Sequence, residues 1–417
     1  MADSTPPPQP PDARGTPRAQ AVGRAVENGV AYARRKLRAG EVGSLPVVLV
    51  LAVVWITFQS LNENFLSPRN LSNLSVDIVG TGLIAVGIVF VLLLGELDLS
   101  VGSISGLAAA IFAVLNVNNG VPEWLALIIA VLAGMAAGTV QGYSFARTRV
   151  PAFVVTLAGL LTWNGLMLYI LGTSGTINID ENGLVAKLTS YYFTDDAVAY
   201  GLAALAAGLV FLVSYLDRRR RLAAGMPHRS LQVIGLRAGA LAVVAFTVAY
   251  LLNRFQGLPL ALLIFLVVVA GLDILLRRTH YGRQVYALGG GVEAARRASL
   301  RVTRVQTAVL AVSGTMAAIG GLFLASRITS VSQSSGSGVL LLNAIAAAVI
   351  GGTSLFGGRG STWSAVLGML VIQSISSGMA ITDTPAAVQF MITGGVLFAA
   401  VVIDALSRRS QEAHGRA

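Results

Sequence analysis

The stretch VDIVGTGLIAVGIVFVLLLG, residues 76–95, decides the fold class. Apart from Asp77 near its start it carries no charge. A helix needs about 20 apolar residues to cross a hydrocarbon core, and this run has that length. Working outward in both directions, runs of the same kind recur at 45–61, 99–116, 122–145, 151–172, 197–216, 234–252, 258–276, 306–325, 338–356, 361–380 and 386–405. The expectation is an all-α integral membrane protein, a polytopic helical bundle of about 12 transmembrane helices filling residues 45–405.

Composition agrees. Apolar residues make up 55% of the 417-residue chain and charged residues only 12%. A water-soluble domain is nearer a quarter charged and has no means of hiding this much apolar surface. The 46 glycines suit helices that approach one another closely in lipid. There is no cysteine, which removes disulfides, thiolate metal sites and cysteine nucleophiles. The histidines, His228, His280 and His414, lie in or beside basic segments outside the apolar runs, so no metal site and no catalytic residue is expected.

The net charge of +11 is distributed in the manner of a membrane protein that meets anionic lipid heads, and no nucleic-acid partner is expected. Residues 1–44 form a proline-rich, then basic, tail without an apolar core, so no signal peptide is expected. If the N-terminus is placed inside and the runs alternate, 26 of the 30 Lys and Arg residues fall on the inside. Both termini, 1–44 and 406–417, are then cytoplasmic. The longest outside loop, 173–196, holds Asp180, Glu181, Asp195 and Asp196.

An energy source is the next question. A P-loop needs lysine after glycine, then Ser or Thr. The two lysines, Lys36 and Lys187, do not fit, so no nucleotide site is expected in this chain. No run carries an acidic residue near its middle, where ion-coupled carriers place one. Two glycine-rich breaks, 95–103 and 351–361, separate adjacent runs. The inside loop 277–305, RRTHYGRQVYALGGGVEAARRASLRVTRV, is long, basic and glycine-hinged. Residues Glu293 to Leu300 read as a short helix after the Gly289-Gly290-Gly291 hinge, of the kind that docks on a separate protein.

YGRQVYALGGGVEAARRASLRV resembles the EAA-type coupling loop of permease subunits in bacterial ATP-binding-cassette sugar importers, in the branch taking up ribose, xylose and galactose. GELDLSVGSISG (95–106), VPAFVVTLAGLLTWNG (150–165) and LLNAIAAAVIGGTSLFGGRGS (341–361) are similar to that family in the same order. Three runs stand between the outside loop and the coupling loop, where ribose-type permeases have roughly one. That layout, the Glu-Leu-Asp form of the first break and TDTPAAVQFMITGGVLF near the end look like D-xylose permeases. Two positions depart: Ser299 stands where the family usually has glycine, and Asn343 where it usually has aspartate.

The resemblance implies a multi-pass inner-membrane subunit that translocates a monosaccharide, D-xylose or a related sugar. It implies a cytoplasmic ATPase partner that uses ATP and Mg, an extracytoplasmic sugar-binding protein, and two copies of this chain in the membrane. No cofactor is expected in the chain itself. Contact with the ATPase is expected from Gly289, Gly290, Glu293, Ala294, Ala295, Arg296, Arg297 and Ser299, with Ala294 and Ala295 giving close backbone approach. Asp98 and Ser100 form an N-cap pattern ahead of Val101. With Glu96, Asn164, Asn343 and Gln373 they are also candidates for lining the substrate pathway. Interhelical hydrogen bonding explains the last three equally well. An ion-coupled sugar symporter and a passive channel stay open as alternatives.

The topology is tested by cysteine placement, for which the chain offers a clean background. A cysteine within 180–190 is expected to label from outside intact cells, and one within 228–235 is not. Labelling of both from outside contradicts the alternation.

Overall fold

A computed structural model describes residues 45–148, 150–172 and 175–413. The expected tail 1–44 and residues 414–417 of the C-terminal tail lie outside the described residues. The apolar runs are helices. They are α1 (Leu45–Leu61), α2 (Pro68–Leu93), α3 (Val101–Ala113, continued by a π turn to Asn118), α4 (Glu123–Thr148) and α5 (Ala152–Leu171). After β1 (Thr176–Asn178), α6 (Leu184–Ser190) and β2 (Tyr192–Phe193) come α7 (Asp196–Ala223) and α8 (Leu231–Asn253). Then follow β3 (Leu258–Pro259), α9 (Leu260–Arg278), α10 (His280–Gly290), α11 (Val292–Arg297) and α12 (Val302–Ile328). β4 (Ser330–Ser332), α13 (Gly338–Ile350), α14 (Thr362–Ile381) and α15 (Ala386–Ala413) complete the chain. Among the described residues nine helices are long and apolar enough to cross a membrane, and three apolar ones are shorter: Pro46–Leu61, Gly338–Ile350 and Ala386–Ala399.

Several boundaries differ from the hydropathy reading, each for a local reason. Helix α2 begins at Pro68, before the apolar run, because the Ser67 hydroxyl accepts the Asn70 N–H at 3.3 Å and Pro68 has its φ preset at the first helical position. Helix α7 continues through Arg218–Arg221, since arginine is a good helix former and is favoured near a helix C-terminus. Helix α13 stops at Ile350 instead of reaching 356, where Gly351 and Gly352 end it.

Helix α2 is apolar on every side and therefore needs neighbours on every side. It has them: α12, α13, α14 and α9 surround it, and Val79, Leu83, Ile84 and Phe90 are fully buried. Helix α12 lies between α2, α3 and α4. Its seam with α4 is built on Gly134, Gly138 and Gly142, spaced four apart on one face. Each bare Cα faces α12 backbone: Gly314 O is 2.7 Å from a Cβ placed on Gly134, Leu310 O presses on Gly138, and Thr307 Cα is 2.8 Å from a Cβ on Gly142. Such close backbone approach is how helices attract one another in lipid, where no hydrophobic force drives them together. Helices α7 and α8 pack chiefly on each other. Leu205, Leu212, Val243 and Val244 stay exposed on this pair, as suits a lipid-facing hairpin.

Two short antiparallel ladders, β1 with β4 and β2 with β3, close the face opposite the 280–297 loop. On that face Arg327 pairs with Asp77 at 2.8 Å, which accounts for the acidic residue near the start of the 76–95 run.

Gly138→Leu is expected to drive a side chain into the Leu310 carbonyl and destabilise the fold by about 3 kcal/mol. Gly208→Leu, on an open face of α7 with nothing within 4 Å, is expected to be neutral or stabilising. Thermal melting and monodispersity in detergent check the contrast.

Candidate functional site

The 277–305 loop is two helices and not one helix after a flexible hinge. Gly289 and Gly290 are the last residues of α10, and Gly291 alone joins it to α11. Helix α10 starts on the Thr279 hydroxyl, which accepts the Gly282 N–H at 3.2 Å. Burial pushes the Tyr281 phenol well above its usual range, and Tyr286 donates its hydroxyl to Gly360 O at 2.9 Å.

The C-terminus of α10 is where both glycine-rich breaks meet. The bare Cα of Gly289 abuts Leu93 O, and a Cβ there would lie 2.7 Å from Gly358 N. Gly358 in turn donates its N–H to Leu93 O at 2.9 Å. A Cβ on Gly357 would sit 2.8 Å from Gly289 O and 2.9 Å from Gly95 N. Three segments far apart in sequence thus share one backbone-to-backbone junction that admits only glycine.

Helix α11 leaves this junction as a short exposed projection. Glu293, Ala294, Arg296 and Arg297 are exposed, and Glu293 pairs with Arg296 at 3.1 Å. Ala295 corrects the sequence expectation: it is buried, 3% exposed, against this chain's own core, while Ala294 is exposed. The helix ends in a Schellman motif, with Leu300 N–H on Ala295 O at 3.1 Å and Ser299 N–H on Arg296 O at 2.9 Å. Ser299 takes φ +60°, the left-handed conformation that favours glycine.

The first break holds a buried polar node. Asp98 is 1% exposed, and three donors converge on its carboxyl: Ser100 N–H at 2.9 Å, Ser100 Oγ at 2.6 Å and Ser313 Oγ of α12 at 2.8 Å. The N-cap reading of this pair gives way here, because the Ser100 side chain makes no cap bond to α3. Ser100 Oγ also lies 2.8 Å from Gln141 Oε1 of α4, yet one hydroxyl proton serves only one acceptor. The hydrogen-bond count closes with the Gln141 amide turned, so that Nε2 donates to Ser100 Oγ and the hydroxyl donates to Asp98. The same turn places an oxygen beside Gly159, where Gln141 Nε2 and Trp163 Nε1 otherwise stand as buried donors without partners. Glu96 faces the backbone N–H of Ala152, the start of α5.

The other pathway candidates are not gathered at this node. Asn164 is exposed on α5, while Asn343 on α13 and Gln373 on α14 are half-buried. Ser313 escapes a sequence reading because it lies 215 residues from its partner within an ordinary apolar helix. The hydroxyl-rich run SVSQSSGSG, residues 330–338, is legible only as an interruption between apolar runs, and no motif marks it.

Fold and site together define a multi-pass helical membrane protein with a buried polar node and an exposed projection rooted in its breaks. Residues 70–401 match the family described as branched-chain amino acid transport system / permease component, and the chain belongs to that permease family. It is 36% identical over 365 residues to the xylose transport system permease protein XylH of Escherichia coli (strain K12), covering 87% of this chain and 90% of the relative. The XylH of Haemophilus influenzae (strain ATCC 51907 / DSM 11121 / KW20 / Rd) is 35% identical, over 87% and 96% of the two chains. The ribose import permease protein RbsC of Bacillus subtilis (strain 168) is 29% identical, over 88% and 94%. No solved structure matches the chain.

Ser313→Ala is expected to lower stability by about 1–2 kcal/mol, because it removes one donor from a buried carboxyl. Ser299→Gly is expected to relieve left-handed strain of about 1 kcal/mol and to slow hydrogen exchange in 292–300. Melting in detergent and exchange mass spectrometry read the two effects.

Proposed function

We propose that the chain is the transmembrane subunit of an ATP-driven monosaccharide importer, with D-xylose or a related sugar as its cargo. The observation that carries the reading is the exposed α11 projection rooted, through Gly289, on both glycine-rich breaks. A partner that moves α11 therefore moves the breaks directly. The names of the XylH and RbsC relatives favour a sugar as the cargo.

In this reading a cytoplasmic ATPase grips Glu293, Ala294, Arg296 and Arg297, and it supplies the ATP and Mg chemistry. This chain contributes no nucleotide site. Gly289 and Gly290 fix the angle at which the projection stands, and Ser299 ends it. Helix α12 begins at Val302, directly after this end of the projection, and carries the displacement to Ser313. Asp98 then passes it to the first break, because Ser313 and Ser100 both hold its carboxyl. One chain offers one projection, so a two-fold symmetric ATPase pair requires two copies. A sugar-binding protein delivers cargo on the opposite face. Against the ion-coupled alternative stand the pairing of Asp77 with Arg327 and of Asp273 with Arg277, and the three donors from Ser100 and Ser313 that already occupy the Asp98 carboxyl.

Glu293→Arg places a further positive charge beside Arg296 and Arg297, in an element outside the spans. The expected result is a normally inserted protein that no longer co-purifies with its ATPase and imports no sugar. Wild-type accumulation by this variant, or accumulation abolished by a protonophore while ATP is held constant, overturns the reading.

A further inference from the structure

Between α12 and α13 the chain does not cross as a helix. Residues 333–337 turn back toward the middle of the bundle. Ser335 O presses on Gly106, and Gly336 and Gly102 meet backbone to backbone, with Gly336 O 2.6 Å from a Cβ placed on Gly102. Gly336 has φ +76° at this contact, so both its conformation and its lack of a side chain are required. Gly106 lies about 18 Å along the helix from the end of the π turn at Asn118. Its neighbour Ser105 packs on Gly321, which lies about 10 Å before the end of α12. The turn therefore reaches about 10–18 Å below the helix ends, and the 13 residues of α13 supply about 19 Å more. Together these lengths match a hydrocarbon core of about 30 Å. The crossing is extended and hydroxyl-rich in one half, and helical in the other.

Side chains at that depth are exposed. Gln333, Ser334 and Ser337 face away from the protein, and so does Asn164, one turn along α5 from Met167. Met167 Sδ is 2.6 Å from a Cβ placed on Gly106, so it packs at the same contact as Ser335. The Ser337 side chain makes no cap bond to α13, and Ser334 Oγ shares its hydrogen bond with Ser332 Oγ of the same turn at 2.9 Å. Lipid has nothing to offer these groups, and irregular chain at membrane depth persists only inside protein or against water.

We infer that residues 333–337, with Asn164, line the aqueous passage for the cargo, and that they do so as a neutral, low-affinity wall for a polyhydroxylated solute. Residues 329–350 carry no charge, so the wall suits an uncharged solute and holds no ion. Hydroxyl and amide groups both donate and accept, as a sugar's hydroxyls do. Weak contacts of this kind let a solute enter and leave. The inference rests on the importer reading for its cargo, though the presence of water along the segment does not depend on it.

The chain has no cysteine, so single substitutions are clean probes. Ser334→Cys and Ser337→Cys, near-isosteric with the native residues, are placed in the full transporter reconstituted with its ATPase and sugar-binding protein. Val243→Cys on the lipid-facing α8 is the control. A membrane-impermeant thiol reagent is expected to modify 334 and 337 but not 243, and modification is expected to stop xylose import while the ATPase stays bound. Unreactive cysteines at both positions overturn the inference, since the segment is then covered by protein or lipid. Full modification with import unchanged overturns it too, since the segment then faces water away from the cargo. If the unmodified system imports no sugar, the importer reading falls, and thiol reactivity alone decides whether the segment lines water.

Discussion

Hydrocarbon offers a peptide group no hydrogen-bond partner, and the whole structure follows from that constraint. Most of the chain meets it by forming helices. Among the described stretches that do not, 94–100, 329–337 and 351–361 pack against helices of the bundle and need another solution. The first break folds back on the end of α2, with Gly95 N–H on Leu92 O, and the second bonds α2 and α10, through Gly358 N–H on Leu93 O and Tyr286 Oη on Gly360 O. Residues 329–337 meet it with a short ladder and tight turns: β4 pairs with β1, Ser335 N–H bonds Ser332 O, and Ser337 N–H bonds Ser334 O.

The same solvent removes the hydrophobic force between helices, so close contact must hold them together. Glycine supplies it in two settings. Along α4 and α12 it lets two long helices touch over successive turns and act as one body. At Gly95, Gly289 and Gly357 it lets three backbones touch at a point. A junction without side chains has little slack, so a displacement of α10 is not absorbed by rotamer changes. Stiff packing of this kind turns a small local shift into a movement of whole elements.

Polar groups inside the bundle are few, and they are used sparingly. Asp98 ties the first break to α12, and through Ser100 it reaches Gln141 on α4. A half-satisfied group of this sort would be costly in so apolar an interior. Turning one amide removes the conflict at Ser100 Oγ, which then donates to Asp98 and accepts from Gln141, so the three side chains read as a unit.

How much was legible in the sequence depended on the range of the interaction. Each of the apolar runs could be read from its own residues, because crossing a membrane is a matter of local hydropathy and length. The basic loops could be read from charge, whereas the left-handed backbone at Ser299, noted in the sequence only as a departure from the resemblance, shows in the structure alone. Hydropathy alone misplaced the start of α2, since a cap and a proline act against the apolar count there, and it passed over the extended half-crossing before α13. It took the tertiary structure to decide that Ser313 holds Asp98, that Ala295 turns inward, and that Gly95, Gly289 and Gly357 touch. Those contacts depend on which helix faces cross and at what height, and no window of neighbouring residues carries that geometry.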